Sequence, residues 1–394
     1  MNLYIRAGLL TLGILSLYRV SYSQETEVEQ AFRFTEAQAT LQLQEVRRLT
    51  GAGRVSPRTL DAGGQLVLVP PGDWTSGFFP GILWLLYGHT KENKWQEAAR
   101  EATAKLENEQ YNGRTHDMGF KIYCSYGQGY RLTGDTAYRK VIIRSAQTLA
   151  TRFNPVVGGI RSWDHNRDKW EFPVIIDNML NLELLFAATK LTGDSTFYRI
   201  AVTHANTTLK NHFRPDGGTY HVIDYDPGTG KIRNRHTHQG FSHESTWARG
   251  QAWALYGYTL CYRETGEEQY LRKALDIASW LQNHPHFPED GVPYWDFDAP
   301  GIPHEPRDAS AAAIIASALY ELQGFVPGKP GLRGLADRIT HSLVTAYTAE
   351  VGTHSGFTLL HSTGAKPSGS EVDVPLIYAD YYLLEALTRK KNTR

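Results

Sequence analysis

The stretch Tyr130-Arg131-Leu132-Thr133-Gly134-Asp135, followed by Tyr138, decides the fold because the chain writes it three times. It returns as Thr189-Lys190-Leu191-Thr192-Gly193-Asp194 ahead of Phe197 and Tyr198, and as Tyr262-Arg263-Glu264-Thr265-Gly266-Glu267 ahead of Tyr270. A glycine after a helical run takes the left-handed conformation that ends a helix, and the residues after it start the next one. Tyr87-Gly88-His89-Thr90, ahead of Trp95, follows a similar logic. Gly134, Gly193 and Gly266 are 59 and 73 residues apart, which is room for two helices and a variable loop. Repeated helical hairpins predict a ring or a solenoid. In this setting Asp135 and Asp194 read as structural.

The flanking segments carry apolar residues at helical spacing: 30–49, 95–106, 137–153, 197–213, 270–281, 309–322 and 335–347. Strand signals are few and short, at 65–69 and 219–225. Pro70-Pro71-Gly72 and the stretch 284–306 read as loops at one end of the ring. We expect an all-α chain of about a dozen helices, six inner and six outer, closed into an (α/α)6-barrel. The inner helices should be the more apolar and Gly/Ala-rich ones, such as 247–262. No composition shift divides the chain, so residues 24–394 read as one catalytic domain.

Composition narrows the function. Among 394 residues, Lys plus Arg equals Asp plus Glu at 41 each, so no net field favours nucleic acid or an anionic membrane. Nine Trp and 22 Tyr are many; at that density aromatics line carbohydrate sites about as readily as they fill a large core. Residues 1–23 read as a signal peptide: Arg6, an apolar run from Ala7 to Tyr18, and Ser21-Tyr22-Ser23 before Gln24. The apolar run is too short to span a membrane, so the expectation is export, to the periplasm or the medium. Cys124 and Cys261 lie in helical segments and read as free core thiols. No metal-ligand spacing is visible, and no cofactor is expected.

Chemistry should gather where inner helices begin. Asp117, after His116, and Asp177, within Val174-Ile175-Ile176-Asp177-Asn178-Met179-Leu180, are carboxylates in apolar and aromatic settings. Such a pair suits glycosidic chemistry, with desolvation keeping one carboxyl protonated near neutral pH. By spacing alone, both read more simply as helix N-caps. His116, His221 and His238, taken singly, read as surface or hydrogen-bonded residues, and Trp163 as packing. Asp298 and Asp308 lie in a loop-rich region where position alone leaves a catalytic role open. Arg249, one helical turn from Trp253 and accompanied by Gln239, could hold an anionic sugar through its planar fork.

Four pieces occur in order: Trp74 with Gly77-Phe78-Phe79-Pro80-Gly81; His116-Asp117-Met118-Gly119-Phe120; Ile175-Ile176-Asp177-Asn178-Met179-Leu180-Asn181; and Gln239-Gly240 followed by Trp247-Ala248-Arg249-Gly250-Gln251-Ala252-Trp253. With them the chain resembles the unsaturated glucuronyl hydrolases of glycoside hydrolase family 88 over nearly its whole length. The resemblance implies an (α/α)6-barrel without a metal. It also implies removal of a 4,5-unsaturated uronate from the non-reducing end of lyase-generated oligosaccharides, by hydration of the vinyl ether. It implies Asp177 as general acid/base and Asp117 as the second essential carboxylate. Trp74, His116, Trp163, His221, Gln239, Arg249 and Trp253 match positions that contact the unsaturated sugar.

The chain departs from the family pattern at His243-Glu244, where two acids are common. It departs again between His361 and Asp373, where some relatives receive a sulfate and this chain offers Lys366, Ser368 and Ser370 in another order. Glycosaminoglycan disaccharides are the expected substrates. An unsaturated rhamnogalacturonyl hydrolase and a non-catalytic carbohydrate-binding toroid are the alternatives. Oligomeric state is left open.

Overall fold

Gly134, Gly193 and Gly266 all adopt positive φ, at 69°, 76° and 70°, and each returns its N–H to a carbonyl of the helix it ends. Asp135 and Asp194 then cap the following helices, accepting from Ala137 N and Thr196 N. The repeated motif is therefore a turn between antiparallel helices. The fourth instance differs: that helix runs on to Thr90, and Lys91, not Gly88, takes the left-handed position.

The computed structural model describes residues 26–49, 51 and 53–392; the segment read as a signal peptide lies outside them. Six helices form an outer layer: α1 (Glu27–Leu49), α3 (Asn93–Ala104), α5 (Thr136–Ala150), α7 (Ser195–Asn211), α9 (Glu268–Asn283) and α11 (Pro330–Ala346). They alternate with an inner layer of α2 (Phe78–Thr90), α4 (Gln128–Thr133), α6 (Asn178–Thr192), α8 (Ala248–Thr265), α10 (Ala309–Phe325) and α12 (Ile377–Asn392). α4 continues a π-helical segment, Gly119–Gly127, so the two act as one inner helix. Neighbouring inner helices touch all the way round, and α12 closes on α2. This is the (α/α)6-barrel expected from the turns.

Sequence pattern sorts the layers. In α9 the buried residues Tyr270, Leu271, Ala274, Ile277, Ala278 and Leu281 form one stripe at spacings of three and four. Each buried Leu or Ile of this kind contributes about 1.5–3 kcal/mol. In α8 every residue from Ala248 to Cys261 is buried, since an inner helix meets protein on all sides. Both cysteines are free thiols.

Short strands decorate the mouth where the inner helices begin. β1 (Ser56–Leu60) pairs with β2 (Leu66–Val69), and β3 (Phe153–Asn154) with β4 (Gly159–Ile160). β5 (Pro173–Ile175), β6 (Val222–Tyr225) and β7 (Ile232–His236) form an antiparallel sheet in that order. The sequence signals covered only β2 and β6. The other strands are two to five residues long and show no alternation that a period search could detect.

Candidate active site

The small sheet builds half of the site. Asp177 follows β5 by two residues, and His221 immediately precedes its partner β6. Ile175 pairs with Val222, and Ile176 N donates to His221 O at 3.1 Å, which fixes the two side chains side by side. After β7 the chain turns back, so that His238 N and Gln239 N both donate to His221 Nδ1 at 3.2 Å. That ring nitrogen is therefore an acceptor, and in the neutral ring the proton sits on Nε2. Nε2 faces Asp177 Oδ2 at 3.7 Å, too far for a hydrogen bond. Burial holds the His221 pKa well below its ordinary value.

The other carboxylate is tied to the same frame through Ser162. Ser162 N donates to Pro173 O, its hydroxyl accepts from Ile175 N at 2.9 Å, and its carbonyl accepts from His116 Nδ1 at 2.6 Å. His116 Nε2 then lies 3.2 Å from Asp117 Oδ1, while Asp117 Oδ2 accepts from the Thr115 hydroxyl at 2.9 Å. Behind them the π-helical segment and α6 approach closely. Asn181 Oδ1 accepts from Phe120 N, and a Cβ on Gly119 would come within 2.6 Å of Asn181 Cα. Only glycine permits that approach.

Neither carboxylate caps a helix. Asp177 occupies the N-cap position of α6, but its φ and ψ are −56° and −28° and its side chain makes no capping bond. Asp117 precedes Met118, the N-cap residue of the π-helical segment; its Oδ2 accepts from the Thr115 hydroxyl, and its Oδ1 lies beside His116 Nε2 without a hydrogen bond. The capping reading fails because both side chains turn into the barrel mouth. Asp308 is a true cap, of α10, accepting from Ser310 N and Ala311 N; Asp298 accepts from Thr246 N.

Burial pushes the Asp177 pKa up to about 7, against the opposing pull of the Arg249 charge and its own backbone N–H; Asp117 adds to the rise and the Trp253 N–H opposes it. Asp380 is also pushed to about 7 by burial, yet both its oxygens accept backbone N–H groups, from Thr358 and Leu359, at 2.8 Å. A raised pKa alone thus does not mark the acid. Asp177 differs in that its buried Oδ2 has no protein partner. The buried His116 Nε2, His221 Nε2, Trp163 Nε1, Trp253 Nε1 and Arg249 Nε lack one too. Buried polar groups are rarely left unpaired, so an orphan cluster of this kind fits a polar ligand.

The aromatic residues divide. Trp74 packs edge-on against Phe78 and Phe120 at the rim, and Trp163 stacks with His165 at 5.2 Å beside His238. Trp253 is fully buried between Phe120 and Tyr382, so it offers an N–H and an apolar wall, not an open ring face. Arg249 departs most from expectation. Its fork is already engaged: Nη1 donates to Asp308 Oδ2 at 2.7 Å and Thr363 O at 2.6 Å, and Nη2 to Gly364 O at 2.6 Å. Gln239 Nε2 reaches the same Gly364 carbonyl at 3.0 Å. The sequence singled out Asp308 and the stretch from His361 to Asp373, but not that both grip Arg249 or that the hairpin Ser362–Val374 walls the site, because the partners lie 59 to 125 residues apart. Among the described residues no group of His, Cys, Asp and Glu side chains is placed to hold a metal ion.

An (α/α)6-barrel whose helix N-termini converge on two carboxylates, one with its pKa raised by burial, among aromatic and cationic side chains, fits a carbohydrate-active enzyme. The sequence profile of Glycosyl Hydrolase Family 88 matches residues 65–383, and the chain belongs to that family. It is 52% identical over 339 residues to an unsaturated glucuronyl hydrolase of Formosa agariphila, covering 85% of this chain and 84% of that protein. Among solved structures, an unsaturated glucuronyl hydrolase specific for heparin superposes with a TM-score of 0.88 at 45% identity, covering 92% of this chain and 97% of that one. A mutant unsaturated glucuronyl hydrolase from Streptococcus agalactiae complexed with dGlcA-GalNAc6S superposes with a TM-score of 0.77 at 30% identity, covering 92% and 91% of the two chains.

Proposed function

We propose that this chain is a glycoside hydrolase that removes the 4,5-unsaturated uronate from the non-reducing end of lyase-generated glycosaminoglycan disaccharides by hydrating the vinyl ether. The observation that carries this reading is Asp177: a carboxyl pushed to about 7, with one oxygen free in the cleft. An acid that must first give a proton to carbon has to be protonated near neutral pH.

The steps balance. Asp177 delivers its proton to C4, and the π pair of the C4–C5 double bond forms the new C–H bond. Positive charge develops at C5 and is shared with the ring oxygen. Water adds at C5 and gives its second proton back to the Asp177 carboxylate. The resulting hemiketal opens by breaking the bond from C5 to the ring oxygen as the C5 hydroxyl proton passes to that oxygen, leaving a C5 ketone and a hemiacetal at C1. The C1 hydroxyl then gives its proton to the glycosidic oxygen, which leaves with the second sugar as an alcohol while C1 becomes an aldehyde. Asp117 orients the sugar with His116. His221 Nε2–H and Trp253 Nε1–H face the acid and stabilise the carboxylate it becomes. Trp74 and Trp163 flank the sugar, and the uronate carboxylate meets Arg249 through its unpartnered Nε–H beside the hairpin wall.

The test is loss of the ultraviolet absorbance of the unsaturated bond. The chain should remove it from glycosaminoglycan disaccharides, and Asp177→Asn should not. Activity confined to unsaturated rhamnogalacturonan fragments would assign the alternative substrate, and binding without loss of absorbance would leave a carbohydrate-binding toroid. We also infer export, supported by the segment 1–23; recovery of the full-length protein in the cytosolic fraction would contradict it.

A further inference from the structure

We propose that Asp308 is a positioning residue of this reaction, fixing the Arg249 guanidinium and, through it, the hairpin wall of the uronate pocket. The proposal rests on the hydration reading above.

Asp308 is fully buried and uses its two oxygens differently. Oδ1 caps α10, accepting from Ser310 N at 3.1 Å, Ala311 N at 3.3 Å and the Ser310 hydroxyl at 2.5 Å. Any short polar side chain could do that. Oδ2 is spent on Arg249 Nη1 at 2.7 Å, and among the described residues Asp308 is the only carboxylate within salt-bridge distance of Arg249. The guanidinium is also closed in by rings, with its carbon 4.5 Å from the Trp247 centroid and 5.4 Å from that of Tyr378.

Charge, two carbonyls and two rings thus leave the guanidinium one orientation, in which Nε–H is buried and unpartnered. A buried donor held without an acceptor is costly unless a ligand supplies one. The same grip sets the wall. Gly364 O receives both Arg249 Nη2 and Gln239 Nε2, and a Cβ on Gly364 would come within 2.7 Å of Glu371 Cβ. Glu371 is held in turn by Arg58, which also binds Asp73 beside Trp74. One buried carboxylate therefore registers Arg249, Gln239 and the hairpin against each other. It also offsets part of the positive charge that Arg249 turns on Asp177.

Asp308→Asn keeps the size and the capping oxygen while removing the charge. Ser310→Ala weakens the same cap without touching Oδ2. For Asp308→Asn we expect KM to rise about tenfold or more, kcat to fall, and the alkaline limb of the kcat–pH profile to move to lower pH. For Ser310→Ala we expect a lower Tm with KM and the profile unchanged. An Asp308→Asn enzyme that loses only Tm, with the wild-type KM and pH profile, overturns the proposal and leaves Asp308 a helix cap. Calorimetry with an unsaturated uronate disaccharide separates this from failure of the reaction itself. Asp177→Asn should bind it about tenfold or more tightly than the Asp177→Asn/Asp308→Asn protein. Equal affinities overturn the proposal even if wild type turns over no substrate.

Discussion

The two mouths of the barrel are both rich in buried charge, and they differ in how that charge is partnered. At the mouth where the inner helices begin, Asp177, His116, His221, Trp163, Trp253 and Arg249 each keep a buried polar atom without a protein partner. At the opposite mouth the inner helices end around a cavity lined by Glu183, Arg263, Glu385 and Arg389. There Arg263 pairs with Glu183, Glu264 and Glu321, and Arg389 pairs with Glu321 and Glu385. Tyr256 donates to Glu385 and accepts from Arg389. One mouth holds its charges for a ligand, and the other uses them to tie helices α6, α8, α10 and α12 together. Glu264 Oε2 and Glu321 Oε2 also lack a hydrogen bond, but each sits against a cation, Lys190 at 2.6 Å and Arg389 at 2.8 Å, so the brace is set apart by its ion pairing and not by burial or charge.

Substitutions on the two mouths should break this comparison in opposite directions. Asp177→Asn should cost about 10³-fold or more in kcat, as expected for a general acid, while leaving the fold intact. Absorbance assays read the first and circular dichroism the second. Arg263→Met at the other mouth should lower stability by about 2–4 kcal/mol, since it leaves the part-buried Glu183 without an ion-pair partner and takes one of two partners from Glu264 and Glu321. Its kcat below the melting transition should stay near wild type. A large loss of activity in folded Arg263→Met would make the lower mouth part of the machinery.

The pH dependence carries a definite sign. Asp177 must be protonated to act, so kcat should fall as pH rises through about 7. Its folded pKa lies above the ordinary value of 3.8, so the native state holds more protons than the unfolded state between roughly those two pH values. Wild-type stability from this group is therefore present at low pH and lost as pH rises toward 7. Asp177→Asn should gain stability relative to wild type across that window, by a few kcal/mol at most, read as a pH-dependent rise in Tm. A Tm difference independent of pH would contradict the burial assigned to Asp177.

The smallest expected effect concerns the second sugar. Lys366 is already paired with Glu305 and lies 5.2 Å from the Trp295 ring centroid, and the Ser368 hydroxyl donates to Ala365 O. Groups so engaged are poor receivers of a sulfate. Unsulfated disaccharides should be preferred over 6-sulfated ones by about tenfold, a difference of about 1.4 kcal/mol. Glu305→Gln should narrow that ratio in a competition assay.

How much of this was legible in the sequence depends on range. Gly134, Gly193 and Gly266 announced the hairpins because a helix stop is written within a few residues. The unbroken burial of α8 followed from its Ala, Gly and aromatic content. Asp177 and Asp117 stood out as carboxylates in apolar runs, but spacing favoured a cap for both, since nothing local says which way a side chain turns. The π-helical segment Gly119–Gly127 and the strands β5 and β7 were silent, being short and held by tertiary contacts. The engagement of Arg249 with Asp308 and Gly364 could not be read, because those partners meet only when the ring closes.

The central claim is that Asp177 protonates C4 and that the glycosidic bond falls afterwards, without attack at the anomeric carbon. Turnover in deuterium oxide followed by NMR tests it most directly. The account predicts one deuterium at C4 of the released uronate, on a single face, and none with Asp177→Asn. A released uronate that still carries the C4–C5 double bond, or one sampled before exchange beside the C5 ketone that carries no deuterium at C4, would contradict it.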